Sequence, residues 1–202
     1  MVSTSHLFDP NLLGDDLKAD LPQGYVIRPL SQDDFSKGYV DLLSTLTTVG
    51  DVTEESFNAT FQAMRRSNIY YITVIEDTAA ERVVASGSLI CELKFIHSCG
   101  KVGHVEDVVV AKDQQGKKLG ATIIKQLMVL SQNLECYKTI LDCSEANAPF
   151  YKKCGMIEKG VQMAIYFDKD GSNGADKKTS TSESSKETAD EVITKGINGV
   201  KL

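Results

Sequence analysis

The sequence lacks the cysteine patterns that mark metal-binding and disulfide-rich proteins. Its five cysteines include no C-x-x-C pair, which argues against a zinc knuckle or a similar metal site. An odd number of cysteines also argues against a framework of disulfides. We therefore expect no metal and reduced thiols, as in a cytoplasmic protein. The cysteines are Cys91, Cys99, Cys136, Cys143 and Cys154.

Long apolar runs and concentrated positive charge are also missing. No apolar run approaches the roughly 20 residues of a membrane-spanning helix. The first residues show no basic segment followed by an apolar one, so we expect no secretion signal and a cytoplasmic location. The net charge is −6, without a dense group of Lys and Arg, which argues against nucleic acid as a partner. A local basic pocket for a small phosphorylated ligand remains compatible with this charge.

The composition predicts one soluble domain with polar ends. Of 202 residues, 42% are hydrophobic and 25% charged, which is typical of a globular chain with a real core. Residues 1–22 are predicted to form a loosely ordered arm, and residues 23–168 the domain. Residues 169–202 contain no aromatic residue and many Ser, Thr, Lys, Asp and Glu residues. They bury too little apolar surface to offset the entropy of ordering, so we predict a disordered tail.

Hydrophobic periodicity predicts strands and helices in alternation. Ser31 and Thr53 are candidate helix caps, each followed by two acidic residues within the first helical turn. Further helices are predicted over residues 119–130 and 147–153. The order of elements predicts an α/β fold around a mixed sheet. Strands are expected at residues 24–30, 69–75, 83–95, 105–110 and 139–142, with a final strand or hairpin within residues 155–167.

The most informative stretch is a glycine-containing loop between a strand and a helix. Val108, Val109 and Val110 end the strand, and Gly116 and Gly120 lie in the loop that follows. Backbone N–H groups at the start of a helix bind phosphate, and Lys117 and Lys118 add positive charge. An ordinary β-to-α turn is the alternative. The spacing matches neither a P-loop nor a dinucleotide-binding G-x-G-x-x-G motif.

The loop resembles the Q/R-x-x-G-x-G/A signature of the GNAT acetyltransferases. Gln115 stands first and Gly120 last, while Lys118 takes the place of the middle glycine. Other stretches resemble the eukaryotic glucosamine 6-phosphate N-acetyltransferases, and together they span roughly residues 24–167. These stretches are residues 46–50, 103–110, 140–145, 149–155 and 159–163.

This resemblance implies a GNAT-type fold, with a mixed central sheet flanked by helices on both faces. It implies a homodimer that moves the acetyl group of acetyl-CoA to the amine of glucosamine 6-phosphate, on the route to UDP-N-acetylglucosamine. The residues implied to bind acetyl-CoA are Val108, Val109, Val110, Gly116, Lys117, Lys118, Leu119, Gly120, Ala121, Asn147, Tyr151 and Lys153. Those implied to bind the amino sugar are Thr47, Lys94, His97, Glu106, Asp107 and Asp142.

The chemistry of amide formation selects catalytic candidates among these residues. The reaction needs a neutral amine, a polarised thioester carbonyl and a proton donor for the departing thiolate. Glu106 and Asp142 are candidates to hold the amine, and Tyr151 to protonate the sulfur. In a regular strand Glu106 and Asp107 point to opposite faces. A bulge near Val108 would free a backbone N–H for the oxyanion.

Other residues are interpreted as structural. His104 is expected to be a hydrogen-bonding core residue, and Cys143 and Cys154 small buried hydrophobic residues.

One departure leaves the phosphate contact open. In some relatives an arginine late in the last strand reaches the sugar phosphate across a dimer interface, and Tyr166 stands there in this chain. Phosphate recognition then depends on Lys94 and His97, with Arg65 or Arg66 as alternatives. Two other interpretations stay open: a GNAT enzyme that acetylates a polyamine or a lysine, and a non-catalytic acyl-CoA-binding module.

Overall fold

The computed structural model describes residues 6–14, 21–167 and 173–174. The chain divides into two compact units, Met1–Gly160 and Val161–Leu202, which we describe separately. Among the described residues, none of the helices has the length and apolar character needed to span a bilayer.

The first unit is built on a sheet of five strands in the order β1-β2-β3-β4-β5. Strands β1, β2, β3 and β4 pair antiparallel with one another in this order, and β5 pairs parallel with β4. The predicted mixed sheet is therefore confirmed. The strands span Tyr25–Pro29 (β1), Tyr70–Asp77 (β2), Arg82–Leu93 (β3), Lys101–Val110 (β4) and Cys136–Ile140 (β5).

Helices cover both faces of this sheet. A Cβ atom added to Gly87 of β3 would lie 2.5 Å from Cγ2 of Ile123, so the glycine lets the third helix approach closely. Tyr39 of the first helix interacts instead with the neighbouring Ser86. Adjacent residues of a strand point to opposite faces, so these two helices pack on opposite sides. The helices are Tyr39–Ser44 (α1), Glu54–Ser67 (α2), Leu119–Asn133 (α3) and Ala148–Lys153 (α4), and a single turn, Ile96–Cys99, lies between β3 and β4.

Local capping explains where the first helices begin. Helix α2 follows Thr53, whose side chain accepts a hydrogen bond from the Ser56 N–H at 3.2 Å, as predicted. The helix predicted after Ser31 is instead divided into a 3-10 turn, Gln32–Phe35, and α1. Gly38 separates them with φ of 75°. Glycine adopts this left-handed conformation without steric cost, so the chain turns there.

Residues 6–14 pack on the core and do not form a loosely ordered arm. Leu7, Phe8 and Leu13 are 4%, 9% and 5% exposed. The Leu7 N–H also donates to the Leu30 carbonyl at 2.8 Å. Each buried apolar side chain contributes about 1.5–3 kcal/mol, enough to order a short segment. The prediction is therefore wrong for residues 6–14, while residues 1–5 and 15–20 lie outside the described residues.

An ion-pair network ties β1 to β2. The Arg28 guanidinium donates to Asp34 at 2.6 and 2.7 Å and to Glu76 at 2.7 and 2.9 Å. Lys37 Nζ donates to the other oxygen of Glu76 at 2.7 Å. Burial alone would raise the pKa of Glu76, but the hydrogen bonds from Lys37 and Arg28 hold that pKa below its usual value.

The predicted final strand is wrong over most of its length. Residues 156–165 form no strand, although apolar residues alternate between positions 161 and 165. A strand needs a neighbouring edge to accept its hydrogen bonds, and alternation in sequence does not supply one. In the second unit, Tyr166–Phe167 (β6) pairs antiparallel with Asn173–Gly174 (β7). The predicted tail, residues 169–202, lies outside the described residues apart from 173–174.

Candidate active site

The site begins where β4 and β5 diverge. Their parallel pairing extends from Lys101 and Cys136 to His104 and Ile140. Residues 105–110 of β4 then continue along an edge that no strand covers on this side within the described part of the chain. The N–H and C=O groups of such an edge can bind an extended ligand as an added strand.

A β-bulge interrupts β4 beside this edge. Asp107 has φ of 51°, and the pair Asp107 and Val108 faces the single residue Gly87 of β3. The bulge predicted near Val108 is thus confirmed, and it releases backbone groups from the ladder. Because the strand is not regular here, alternation fails: Glu106 and Asp107 are both exposed and line the same cleft.

Three carboxylates meet in this cleft, which encloses about 160 Å³. Glu106 and Asp107 come from β4, and Asp142 from the segment that follows β5. Partial burial raises the pKa of Glu106, and the charges of Asp107 and Asp142 raise it further. The cleft therefore favours a cation and contains a carboxylate that readily takes up a proton. Its other lining residues are Leu46, Val105, Val108, Leu141, Cys143, Asn147 and Tyr151.

Tyr151 brings a proton donor to the same cleft. It lies on α4, half-buried against the core, with its ring 5.0 Å from that of Phe150. Burial raises the pKa of Tyr151, and the neighbouring Cys143 and Cys154 raise it further. The phenol therefore stays protonated near neutral pH, so it can donate a proton or a hydrogen bond.

The glycine-containing loop lies between β4 and α3. Gly116 and Lys118 have φ of 86° and 63°, and α3 begins at Leu119. Lys118 replaces the middle glycine of the signature, yet it adopts the left-handed conformation that glycine favours. A Cβ atom at Gly120 would lie 3.4 Å from Val110 and 3.5 Å from Phe150, so the residue packs closely between β4 and α4. The first N–H groups of an α-helix have no partner within the helix, which is an arrangement that can bind an anion.

Lys117 differs from the expectation for a phosphate-binding lysine. Its Nζ donates to the Tyr25 hydroxyl at 2.6 Å and to Gln114 Oε1 at 2.7 Å. The side chain is thus directed to the start of β1. Sequence reasoning missed Tyr25 and Gln114, because Tyr25 precedes Lys117 by 92 positions and no motif links them.

Lys94 and His97 lie at the far end of β4 from the cleft. The Lys94 N–H donates to the Gly100 carbonyl at 2.9 Å, just before β4 begins at Lys101. Glu106 lies five residue steps along the strand from Lys101, which is roughly 17 Å. One chain therefore does not bring Lys94 or His97 to the three carboxylates.

The contacts of these two side chains are local. Lys94 Nζ is paired with Glu92, and Nε2 of the half-buried His104 lies 2.8 Å from the same carboxylate. The His97 ring centroid lies 4.2 Å from that of Tyr137.

The remaining candidates lie around the cleft. Asn147 stands at the N-cap position of α4 without a side-chain capping hydrogen bond and lines the cleft, and Lys153 is exposed at the last residue of α4. Thr47 is exposed and directly follows the lining residue Leu46. Roles for these three residues stay predictions.

The cysteines differ in part from expectation. Cys143 is exposed and lines the cleft, so its interpretation as a buried residue is wrong. Cys143 lies in the loop after β5, which ends at Ile140, and no strand or helix of the described residues covers it there. Cys154 is partly buried, and all five thiols are free. The described residues contain no group of three or more His, Cys, Asp or Glu side chains that could hold a metal ion.

Comparison with known proteins gives consistent matches. The profile of the acetyltransferase (GNAT) family matches residues 35–156. Glucosamine 6-phosphate N-acetyltransferase 1 of Dictyostelium discoideum is 46% identical over 143 residues, which are 71% of this chain and 91% of that protein. The Candida albicans glucosamine 6-phosphate N-acetyltransferase is 44% identical over 147 residues, covering 73% and 99%. The crystal structure of the Arabidopsis thaliana enzyme of the same name superposes with a TM-score of 0.70 at 44% identity, covering 71% and 99%.

Proposed function

The chain belongs to the acetyltransferase (GNAT) family, and we propose that it transfers the acetyl group of acetyl-CoA to the amine of glucosamine 6-phosphate. The observation that carries this proposal is the group of three carboxylates, Glu106, Asp107 and Asp142, in the cleft beside the open edge of β4. An amino sugar carries a positive charge at neutral pH, and this group attracts it. The bulge lies in β4 and the glycine-containing loop follows the same strand, so acceptor and acetyl donor would meet there.

The coenzyme is proposed to lie along β4 and over the start of α3. The uncovered backbone of Val108, Val109 and Val110 pairs with the amide groups of its pantetheine arm. The loop from Gly116 to Ala121 holds the pyrophosphate with backbone N–H groups at the positive end of the helix. Asn147, Tyr151 and Lys153 of α4 complete this site. The coenzyme supplies an activated thioester, and the residues of the chain orient it.

Acceptor activation is assigned to the carboxylates. Asp142 and Asp107 hold the acceptor, and Glu106 takes the proton that the ammonium must lose before it attacks. The raised pKa of Glu106 brings its proton affinity closer to that of the amine. The amine nitrogen then forms a bond to the thioester carbonyl carbon. A backbone N–H freed by the bulge near Val108 stabilises the oxyanion.

Protonation of the departing sulfur is assigned to Tyr151. As the C–S bond breaks, the Tyr151 hydroxyl donates its proton to the thiolate, and the bonded nitrogen gives up its second proton, which restores the phenol. The products are free CoA and the N-acetyl sugar phosphate. Burial keeps this hydroxyl protonated beforehand. Five free thiols fit a reducing compartment, so we place the reaction in the cytoplasm.

A homodimer accounts for Lys94 and His97. These residues lie too far from the carboxylates of their own chain for one sugar phosphate to touch both. The hairpin between β3 and β4 exposes Leu93, Phe95 and Ile96 by 71%, 96% and 62%. Such apolar exposure is typical of a surface that a second molecule covers. We propose that this hairpin, with Lys94 and His97, completes the acceptor site of a second copy.

Mixing two variants tests the function and the dimer together. Lys94→Ala and Asp142→Asn are each expected to lower acetylation of glucosamine 6-phosphate at least about tenfold at low substrate. If sites are shared, refolding an equal mixture restores about a quarter of wild-type activity, because half of the dimers are mixed and carry one intact site. Thiol release from acetyl-CoA is the readout. A mixture no more active than the mean of the two variants would contradict sharing, and an unimpaired Asp142→Asn would contradict the acceptor site.

A further inference from the structure

A buried amide lies within the loop between β4 and α3. Gln114 is 7% exposed, yet three polar groups satisfy its side chain. Its Oε1 accepts hydrogen bonds from the Tyr25 hydroxyl and from Lys117 Nζ, both at 2.7 Å. Its Nε2 donates to Asp113 Oδ2 at 2.9 Å. A buried amide with all these bonds has one preferred orientation, so it restrains the side chains of Tyr25 and Lys117.

Lys117 closes a triangle of hydrogen bonds with the other two residues. Its Nζ donates to the Tyr25 hydroxyl at 2.6 Å and lies 5.1 Å from the centre of the Tyr25 ring. The phenol therefore accepts from Lys117 while donating to Gln114. We call Tyr25, Gln114 and Lys117 the Tyr25 clamp.

The residues on either side of Lys117 form a sharp turn. Lys118 is the N-cap of α3 but makes no side-chain capping hydrogen bond. Gly116 and Lys118, on either side of Lys117, both have left-handed φ values, a strained conformation for the lysine. The other end of the loop is held to β3 by a hydrogen bond that Arg82 donates to Asp113 at 2.6 Å. The clamp thus connects the strained turn to β1.

We infer that the Tyr25 clamp holds the loop in its phosphate-binding conformation, with Tyr25 as a positioning residue and the Lys117 ammonium as an internal tie. The inference rests on the proposed function, since the loop is taken to bind acetyl-CoA. It differs from the simpler idea that Lys117 is a phosphate ligand. The Lys117 ammonium already donates to a phenol and an amide, so two of its three protons are engaged within the chain.

The test compares wild type, Tyr25→Phe, Lys117→Met and the double variant. Tyr25→Phe keeps the ring but removes the hydroxyl that joins Lys117 to Gln114. We expect the Kd for acetyl-CoA, measured by calorimetry, to rise about tenfold in each single variant. For Tyr25→Phe, the KM for S-acetylpantetheine, which has no phosphates, should not change, and neither should kcat at saturating acetyl-CoA. The double variant should be no weaker than Lys117→Met, because both changes break one unit.

Two substitutions serve as matched controls. Tyr71→Phe removes a hydroxyl that donates to the Asn68 carbonyl at 3.2 Å, away from the loop. Lys112→Met removes an exposed positive charge at the start of the same loop. Both should leave acetyl-CoA binding within about twofold of wild type.

The possible outcomes separate the inference from the function. If the increases in Kd of the two single variants multiply in the double variant, Lys117 binds phosphate independently of Tyr25. That result would overturn the clamp. Tighter binding by Tyr25→Phe would overturn it too, because the phenol would then be withholding Lys117 from the ligand. A Tyr25→Phe variant with the wild-type Kd for acetyl-CoA would overturn the clamp and leave the proposed function intact. A wild-type chain that does not bind acetyl-CoA overturns the proposed function and the clamp with it.

Discussion

At the scale of single residues, Glu106 illustrates a cost of placing three carboxylates together. Its pKa in the folded chain is raised by burial and by Asp107 and Asp142, from an ordinary value of 4.5. The folded state therefore binds this proton more tightly than the unfolded state. Between 4.5 and the higher folded-state pKa, stability falls as the pH rises, and the loss is complete above that pKa.

Glu106→Gln should therefore stabilise the free protein while it impairs catalysis. We expect a higher melting temperature than wild type at about pH 8, with the difference disappearing at about pH 4, where wild-type Glu106 is protonated. Turnover should fall about a hundredfold, because the amine loses its base. Glu145→Gln, at an exposed position that does not line the cleft, is the matched control. A Glu106→Gln protein less stable than wild type at about pH 8 would contradict this account of the carboxylates.

Tyr151→Phe tests the proton donor. Removing the hydroxyl should lower kcat about a hundredfold or more, because the thiolate leaves without a proton. The Kd for acetyl-CoA should change by less than about threefold, since the ring still packs against Phe150. Stopped-flow and steady-state rates of thiol release are the measurements. Unchanged turnover, with the chemical step shown to limit the rate, would leave Tyr151 a packing residue.

At the scale of elements, the sequence predicted most helices and strands but not their irregularities. Thr53 and the periodicity after it located α2, because capping and amphipathic spacing are local. The bulge at Asp107 was placed only approximately, since its register depends on Gly87, a residue 20 positions earlier in the chain. The end of β5 was placed too late because pairing with β4, not local preference, sets it. Asp142 and Cys143 consequently lie in a loop, where they can line the cleft.

The network around Arg28 gives a prediction for stability. Arg28→Ala leaves Asp34, whose side chain is fully buried, and the largely buried Glu76 without their main partner. Losing one partner of a buried ion pair costs about 3–5 kcal/mol, so the free energy of unfolding in urea should fall by that amount. Lys152→Ala, which breaks an exposed pair with Glu158, should cost less than about 1 kcal/mol. Equal effects of the two substitutions would contradict this description of the network.

At the scale of the whole molecule, the sequence identified the participants better than their arrangement. Resemblance to relatives selected Glu106, Asp142 and Tyr151, and one cleft brings these three together. The same resemblance grouped Lys94 with them, although in one chain it lies at the opposite end of β4. The order of residues along one chain does not show which of them meet across the interface between two copies. Nor does it reveal the Tyr25 clamp, whose partners meet only after the sheet has formed.

Substrate specificity tests the central claim most directly. The specificity constant kcat/KM should be measured by thiol release from acetyl-CoA with glucosamine 6-phosphate, glucosamine, spermidine and a lysine peptide. If the three carboxylates bind an amino sugar and basic residues bind its phosphate, kcat/KM should be about ten- to a hundredfold higher for glucosamine 6-phosphate than for glucosamine. Spermidine and the peptide should react more slowly still. Faster acetylation of spermidine or of the lysine peptide than of glucosamine 6-phosphate would contradict the proposed function and leave only the family assignment.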